Sequence, residues 1–325
     1  MIPYTPPGAA TNIPVIDLSG SFEPGSARDE TVAAVHRACR ETGFFYVSGH
    51  RVPEQLVAAQ IEAAHRFFSM PEEAKQTVHI SKSPYWRGYQ GPGAQMLDEG
   101  SPPDHKESYS IACDLPKDHP WVIEGVPGQG PNQWPENLPG FPEQMLAYQA
   151  EAIRLGRHLM GLLACSVEVD YHYFAEGLGD PQCGVRLLRY PPQPAEAPEN
   201  MLGAGAHTDW GSITILLQDG SPGLEVRNAD GDWILATPID GTFVINIGQM
   251  MERFTGGIYK ANMHRVRNGV PDKARYSVAT FFELEPQYRM GVAPTCLDAG
   301  ADAPEFDLTV AEHIEQMSKA SYAAS

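Results

Sequence analysis

The spacing of apolar residues predicts helices in the first half of the chain. Apolar side chains recur at helical spacing over residues 28–42, and a second helix is predicted over residues 54–69. A broader apolar stripe over residues 142–167 predicts a long helix that supports a sheet. The short aromatic run 44–47, bounded by glycines, predicts a buried strand between the first two helices. This half of the chain therefore reads as a helical layer with few strands.

The pattern changes after residue 183. Short apolar segments alternate with turn residues, at 185–190, 213–218, 224–228, 242–247, 262–268 and 276–283. Several short strands separated by turns are typical of a β-sandwich or jelly roll. Between residues 81 and 142 the chain is rich in glycine and proline, which predicts long ordered loops around one short strand at 108–111. The expected class is α+β with a mainly β core.

Composition and charge exclude several classes of function. The formal net charge of -18 would repel phosphate backbones, and no basic stripe interleaved with aromatics is present, so we expect no nucleic-acid binding. Five scattered cysteines without a C-x-x-C pair indicate reduced thiols and a cytoplasmic protein. No apolar run is long enough to span a bilayer. Glycine patterns for a Rossmann fingerprint or a P-loop are also missing.

One cluster of residue types points to a metal. His207 and Asp209 would project from the same face if residues 205–210 form a strand, because side chains alternate with period two. His264, on a strand predicted later in the chain, could supply a third ligand. Two histidines and one carboxylate form the facial triad of non-haem Fe(II) oxygenases, which leaves coordination positions open. The sequence therefore predicts an iron site.

Four segments that carry these residues resemble a known family. They are 205–216 (GAHTDWGSITIL), 244–248 (VINIG), 259–266 (YKANMHRV) and 275–277 (RYS). In order and spacing they are similar to the Fe(II)/2-oxoglutarate-dependent dioxygenases of the isopenicillin N synthase-like branch. The segments 13–18 (IPVIDL) and 42–47 (TGFFYV) resemble the start of the same branch, so the resemblance covers most of the chain.

The resemblance implies a fold and a domain organisation. The fold would be a double-stranded β-helix, or jelly roll, with supporting helices that are mostly amino-terminal. We expect one dioxygenase domain over residues 1–325. Its support region would span about 1–183, its jelly-roll core about 184–285, and its carboxy-terminal tail and helix about 286–325.

The resemblance also implies roles for residues outside the triad. In this family the arginine and serine of an R-x-S motif hold the distal carboxylate of 2-oxoglutarate, and they match Arg275 and Ser277. Arginine suits this role because its planar fork binds a carboxylate bidentately and stays charged. Tyr190 matches a tyrosine that contacts the same cosubstrate.

One position departs from the family pattern. Plant members commonly carry an asparagine that contacts 2-oxoglutarate where this chain has Leu188. Arg186 lies four positions before Tyr190 and hence on the same strand face. It could replace the lost cosubstrate contact, bind an acidic group of the prime substrate, or pair with a structural acid.

The implied function is Fe(II)- and 2-oxoglutarate-dependent oxidation of a small molecule, most often hydroxylation, with O2 consumed and succinate and CO2 released. Two alternatives stay open: an iron oxidase of the same fold that needs no 2-oxoglutarate, and a non-catalytic metal-binding jelly-roll protein. The sequence does not choose among a nucleobase, an amino acid and a secondary metabolite as substrate. We expect a monomer or weak homo-oligomer that binds no membrane.

Overall fold

A computed structural model describes residues 13–95, 102–194, 196–197, 201–228, 230–268, 270, 272–297 and 308–323. Within these ranges the chain forms two β-sheets with helices on one side. The strands are β1 (Val15–Asp17), β2 (Phe44–Ser48), β3 (Gly88–Gln90), β4 (Glu107–Ile111), β5 (Gln182–Tyr190), β6 (Ala204–His207), β7 (Ile213–Gln218), β8 (Leu224–Arg227), β9 (Trp233–Leu235), β10 (Phe243–Ile247), β11 (His264–Val266) and β12 (Arg275–Glu283). The helices are α1 (Ser26–Glu41), α2 (Glu54–Phe68), α3 (Glu72–Gln76), α4 (Pro120–Ile123), α5 (Phe141–Ser166), α6 (Gln249–Phe254) and α7 (Val310–Ala323).

The two sheets differ in size and in what covers them. The larger sheet has the order β1-β2-β10-β7-β12-β5-β4-β3, and the smaller one has the order β6-β11-β8-β9. Successive residues of a strand point to opposite faces, so Ile245 enters the core under the helices while Val244 enters the core between the sheets. The larger sheet is therefore buried on both faces. This is the jelly-roll arrangement that the sequence predicted, with helices α1, α2 and α5 as its support.

The amino-terminal predictions agree closely with the structure. Helices α1, α2 and α5 cover the three predicted helical segments within one or two residues at each end. Gly43, which follows α1, has a φ of 66° and donates its N–H to the Ala38 carbonyl at 3.0 Å. A left-handed residue after a helix is the usual position of glycine. The predicted carboxy-terminal helix is α7.

Other predictions need correction. The strand expected over residues 205–210 ends at His207, because the next residues leave the sheet and the Asp209 carbonyl accepts the N–H of Gln249 at the start of α6. The short strands β3 and β9 and the helix α6 were not predicted, since each is too short to show a period. No helix of the described ranges is long and apolar enough to cross a membrane.

A glycine in α5 allows the helix to pack closely on β12. A Cβ added at Gly156 would lie 2.5 Å from the ring of Phe282, which is fully buried. We expect Gly156→Ala to lower the free energy of unfolding by about 1–3 kcal/mol through overpacking. The better helix propensity of alanine, about 1 kcal/mol, offsets only part of this loss.

Chemical denaturation of the two proteins measures this effect. Gly291→Ala is the matched control, because a Cβ at Gly291 meets no atom within 4 Å. Equal stability of Gly156→Ala and the wild type would show that the helix can shift at no cost.

Candidate metal and cosubstrate site

The smaller sheet brings two histidines together. His207 and His264 are direct cross-strand partners on β6 and β11, and their ring centroids lie 4.2 Å apart. Nδ1 of His207 lies 2.7 Å from the Gly205 carbonyl oxygen, and Nδ1 of His264 lies 3.5 Å from the Asn262 carbonyl oxygen. A carbonyl only accepts, so the proton of His207 is placed on Nδ1. Its Nε2 therefore keeps a free lone pair, as a metal ligand requires.

Asp209 is held by the larger sheet and faces the histidines of the smaller one. Its Oδ2 accepts hydrogen bonds from the Asn246 amide at 2.7 Å and from the Thr214 hydroxyl. Its Oδ1 lies 3.9 Å from Nε2 of His207 and 3.7 Å from Nε2 of His264. One oxygen is thus occupied by the protein, while the other is directed at the two ring nitrogens.

The electrostatics of the three groups favour a cation between them. Burial lowers the pKa of His207, and the neighbouring His264 lowers it further, so the ring is neutral at pH 7. Burial would raise the pKa of Asp209, but the two histidines and the hydrogen bonds to its side chain shift that pKa downward overall. A neutral His207 ring and an ionised Asp209 carboxylate are the protonation states in which these two groups bind a metal.

The donor set fits a single metal ion. The three ligand atoms, two nitrogens and one oxygen, all lie within 4.8 Å of one another. His207, Asp209 and His264 would therefore hold one ion between them. Three ligands on one side leave the other positions of an octahedral ion open.

A second group of polar residues lies on the neighbouring strands of the larger sheet. Tyr190 on β5 is the cross-strand partner of Arg275 on β12, and Leu188 is the partner of Ser277. The Arg275 guanidinium donates to the Gln218 side chain at 2.9 Å and to the Ser221 carbonyl at 3.2 Å. Its Cζ lies 5.1 Å from the Tyr190 ring centroid. Burial lowers the pKa of Arg275.

The seven residues that the sequence singled out share one cavity of about 300 Å³. They are His207, Asp209, His264, Arg275, Ser277, Tyr190 and Arg186. Leu188 also lines it, so the position where relatives carry asparagine is apolar here. On β12, Phe281 lines the cavity, while its neighbour Phe282 packs in the core below. Val310 and Ile314 of α7 form another part of the wall.

Several residues that support the site were not predicted. Thr214 and Asn246 orient Asp209, and Gln249 donates its side-chain N–H to Thr208 at 2.9 Å. The sequence offered a signal for Asn246 and Gln249, because both lie in or next to the VINIG segment that resembles the family. Thr214 gave no signal of its own, since threonine is common in strands.

Comparisons with known proteins identify the family. Residues 13–137 match the model described as non-haem dioxygenase in morphine synthesis N-terminal, and residues 181–284 match the 2OG-Fe(II) oxygenase superfamily. A 2-oxoglutarate-Fe(II) type oxidoreductase of Emericella nidulans is 35% identical over 97% of this chain and 91% of its own length. Clavatol oxidase of Penicillium crustosum is 35% identical over 96% of this chain and 97% of its own length.

A solved structure agrees with these relatives. A full-length Neurospora crassa protein in complex with alpha-KG and thymine aligns with a TM-score of 0.82 and 27% identity, over 95% of this chain and 97% of that one. The chain belongs to the 2-oxoglutarate- and Fe(II)-dependent oxygenases. It is an oxidoreductase that uses iron and 2-oxoglutarate on small-molecule substrates. The relatives therefore favour the dioxygenase over the oxidase that needs no cosubstrate and over a non-catalytic protein.

A buried carboxyl group at the end of β12 makes the stability of the protein depend on pH. Glu283 lines the cavity, accepts the N–H of Ser212 at 2.6 Å, and is 7% exposed. Burial raises its pKa from 4.5 to about 8. A raised folded-state pKa gives a stabilising contribution that is complete below pH 4.5 and is lost as the pH rises toward 8.

Glu283→Gln should remove the loss of stability that the wild type shows as the pH rises. The free energy of unfolding of the variant, relative to the wild type, should therefore increase between about pH 5 and pH 9, because glutamine does not ionise. Denaturant titrations of the metal-free proteins at several pH values measure the difference. Glu176→Gln, at an exposed position, controls for the loss of one negative charge. A constant difference across the range would contradict the assignment.

Proposed function

We propose that His207, Asp209 and His264 are the iron ligands of this enzyme and that Arg275, Ser277 and Tyr190 bind 2-oxoglutarate. The first set is supported by three side-chain atoms that converge: Nε2 of each histidine and Oδ1 of Asp209. The hydrogen bonds of these side chains to the protein are made by their other atoms, Nδ1 and Oδ2. The support for the second set is its location in the same cavity, on adjacent strands of the larger sheet.

The observation that carries this proposal is that the buried guanidinium of Arg275 contacts only neutral groups. Two arginines of the described ranges are fully buried, and Arg265 of β11 is paired with the Glu225 carboxylate at 2.6 Å. Arg275 instead contacts an amide, a backbone carbonyl, a hydroxyl and a phenol ring, all of them neutral. The nearby Asp219 carboxylate accepts two backbone N–H groups. A fully buried cation with no carboxylate in contact is costly, so an anion is expected there when the enzyme functions. The far carboxylate of 2-oxoglutarate supplies it.

The protein itself has two tasks in the reaction: it orients the proposed iron ligands, and it excludes water from the reacting groups. The bound iron and 2-oxoglutarate supply the oxidation, with succinate and CO2 as the products of the cosubstrate. Gly205 and Asn262 fix the ring orientations of the two histidines through their carbonyls, while Thr214 and Asn246 fix the carboxylate. The apolar wall excludes water from the reacting groups. No side chain is required as a general base.

The prime substrate enters the same cavity. We propose hydroxylation as the outcome for this chain, in a single-domain cytoplasmic enzyme that is a monomer or weak homo-oligomer and binds neither nucleic acid nor membrane. The absence of a C-x-x-C pair and the acidic net charge support this setting. The size of the cavity supports a small organic molecule.

Replacement of one ligand tests the metal site. His264→Ala should abolish iron binding and turnover, because two remaining ligands hold Fe(II) weakly. The free energy of unfolding without metal should change little, since the site is a small part of a large core. Iron content after dialysis and denaturant titration measure the two effects. His172→Ala, at an exposed position, should keep full iron content. Full activity of His264→Ala with Fe(II) supplied would refute the assignment.

Replacement of Arg275 tests the cosubstrate site. Arg275→Ala should weaken 2-oxoglutarate binding at least about a hundredfold, because losing one partner of a buried charge pair costs about 3–5 kcal/mol. Arg275→Lys keeps the charge but loses the bidentate fork, so its affinity should lie between alanine and wild type. Calorimetry with 2-oxoglutarate gives the three affinities. An unchanged affinity in Arg275→Ala would show that the anion binds elsewhere.

A further inference from the structure

Arg186 is a cation of the cavity that the proposed function does not use. It lies on β5, with Ser110 of β4 and Ala279 of β12 as its cross-strand partners. Its Nε donates to the Ser110 hydroxyl at 3.0 Å, and its Cζ lies 5.5 Å from the Phe281 ring centroid. No carboxylate of the described residues lies within ion-pair distance of it.

None of the other charged groups that line the described part of the cavity is paired with Arg186, and the Asp209 carboxylate faces the two histidines. Lys106 is paired with Asp104 at 2.6 Å. Burial raises the pKa of Glu283 to about 8, so that carboxyl is largely neutral at pH 7. Arg87 adds a second guanidinium, held by two backbone carbonyls, and its Nε has no hydrogen-bond partner. Among the described residues, Arg186 therefore has no carboxylate partner in the cavity.

The spacing along the strands separates the backbone of Arg186 from that of Arg275, with the Leu188–Ser277 pair between them. The pairs Tyr190–Arg275 and Arg186–Ala279 are four residues apart along β5 and β12. At about 3.4 Å per residue this is a separation of about 14 Å between backbones. In the proposed function the far carboxylate of 2-oxoglutarate binds Arg275, and its keto-acid end would be held at the iron site formed by His207, Asp209 and His264. An anion at Arg186 is thus a third one, and the prime substrate has to supply it.

We propose that the prime substrate is a small carboxylic acid whose carboxylate binds Arg186. The proposal rests on the proposed function, because it assigns the cosubstrate carboxylates to other groups. Apolar side chains make up much of the remaining wall, including Trp86, Trp210, Phe281 and Ile314. A cavity of about 300 Å³ is at the small end of ligand sites and holds the cosubstrate as well. The expected substrate class is a monocarboxylic acid with a compact aromatic or aliphatic body.

Binding of matched pairs of compounds tests the substrate class. The protein is loaded with Fe(II) and 2-oxoglutarate under argon, and calorimetry measures the binding of phenylacetate, 3-phenylpropionate, indole-3-carboxylate and hexanoate, each beside its primary amide. We expect at least one acid to bind about thirtyfold or more tightly than its amide, the factor for a buried charged hydrogen bond. Equal binding of every pair, or no binding of any acid at millimolar concentration, would overturn the proposal.

Variants of Arg186 test the residue. Arg186→Gln should lose the preference for the acid over its amide, and Arg186→Lys should keep part of it. Arg227→Gln, which removes a positive charge from an exposed position, should bind like the wild type. Arg186→Lys also guards against misfolding, because it preserves size and charge. An unchanged acid preference in Arg186→Gln would remove the residue from the proposal.

The affinity for 2-oxoglutarate separates this proposal from the proposed function. Arg186→Gln should bind 2-oxoglutarate as the wild type does, and should form succinate without matching oxidation of the acid. A loss of 2-oxoglutarate affinity in Arg186→Gln would place the residue on the cosubstrate and overturn the inference. A loss confined to the Arg275 variants would leave both proposals standing.

Discussion

The hydrogen bonds to Oδ2 of Asp209 join the two sheets at the site. Thr214 and Asn246 belong to strands β7 and β10 of the larger sheet, while the histidines that face Oδ1 belong to the smaller sheet. The carboxylate leaves the end of β6 and crosses from one sheet to the other. Its two oxygens have different roles: Oδ2 accepts the hydrogen bonds from the larger sheet, and Oδ1 remains available to bind a metal. A facial triad needs this division, because a carboxylate satisfied on both oxygens by the protein would bind metal weakly.

The sequence predicted most of the supporting helices and strands, and it singled out seven residues that the structure brings together in one cavity. Long helices such as α5 show their period over many turns, and the cross-strand pairing of His207 with His264 matches the metal cluster that their residue types suggested. The predicted strand over residues 205–210 was wrong at its end, since Asp209 lies beyond β6 and side-chain alternation does not place it. Its convergence with the histidines depends on Thr214 and Asn246, which are distant in sequence. Local periodicity carries no information about such contacts.

The charge balance of the cavity could not be predicted from the sequence. Arg265 and Arg275 are both arginines near strand ends, yet only Arg265 has a carboxylate in contact with it. Likewise, burial makes Glu283 a largely neutral group at pH 7, although its residue type suggests an anion. Whether a buried ionisable group is paired, unpaired or neutral depends on which strands pack against it. The departure at Leu188 was visible in the sequence, but the lack of a carboxylate partner for Arg186 among the described residues emerges only from the folded arrangement.

The location of Arg186 on a central strand bears on where a substrate would be oxidised. Hydrogen-bonded neighbours on both sides, β4 and β12, fix its backbone relative to the strands that orient the proposed iron ligands. The carboxylate of an acid bound to Arg186 would be held at a fixed distance from the proposed iron site. The carbon presented to the metal would then be set by its distance from the acid group and not by the length of the molecule beyond it. Regioselectivity would follow from the spacing of a β-ladder, and changes in the surrounding loops would alter which acids fit without moving the position of attack.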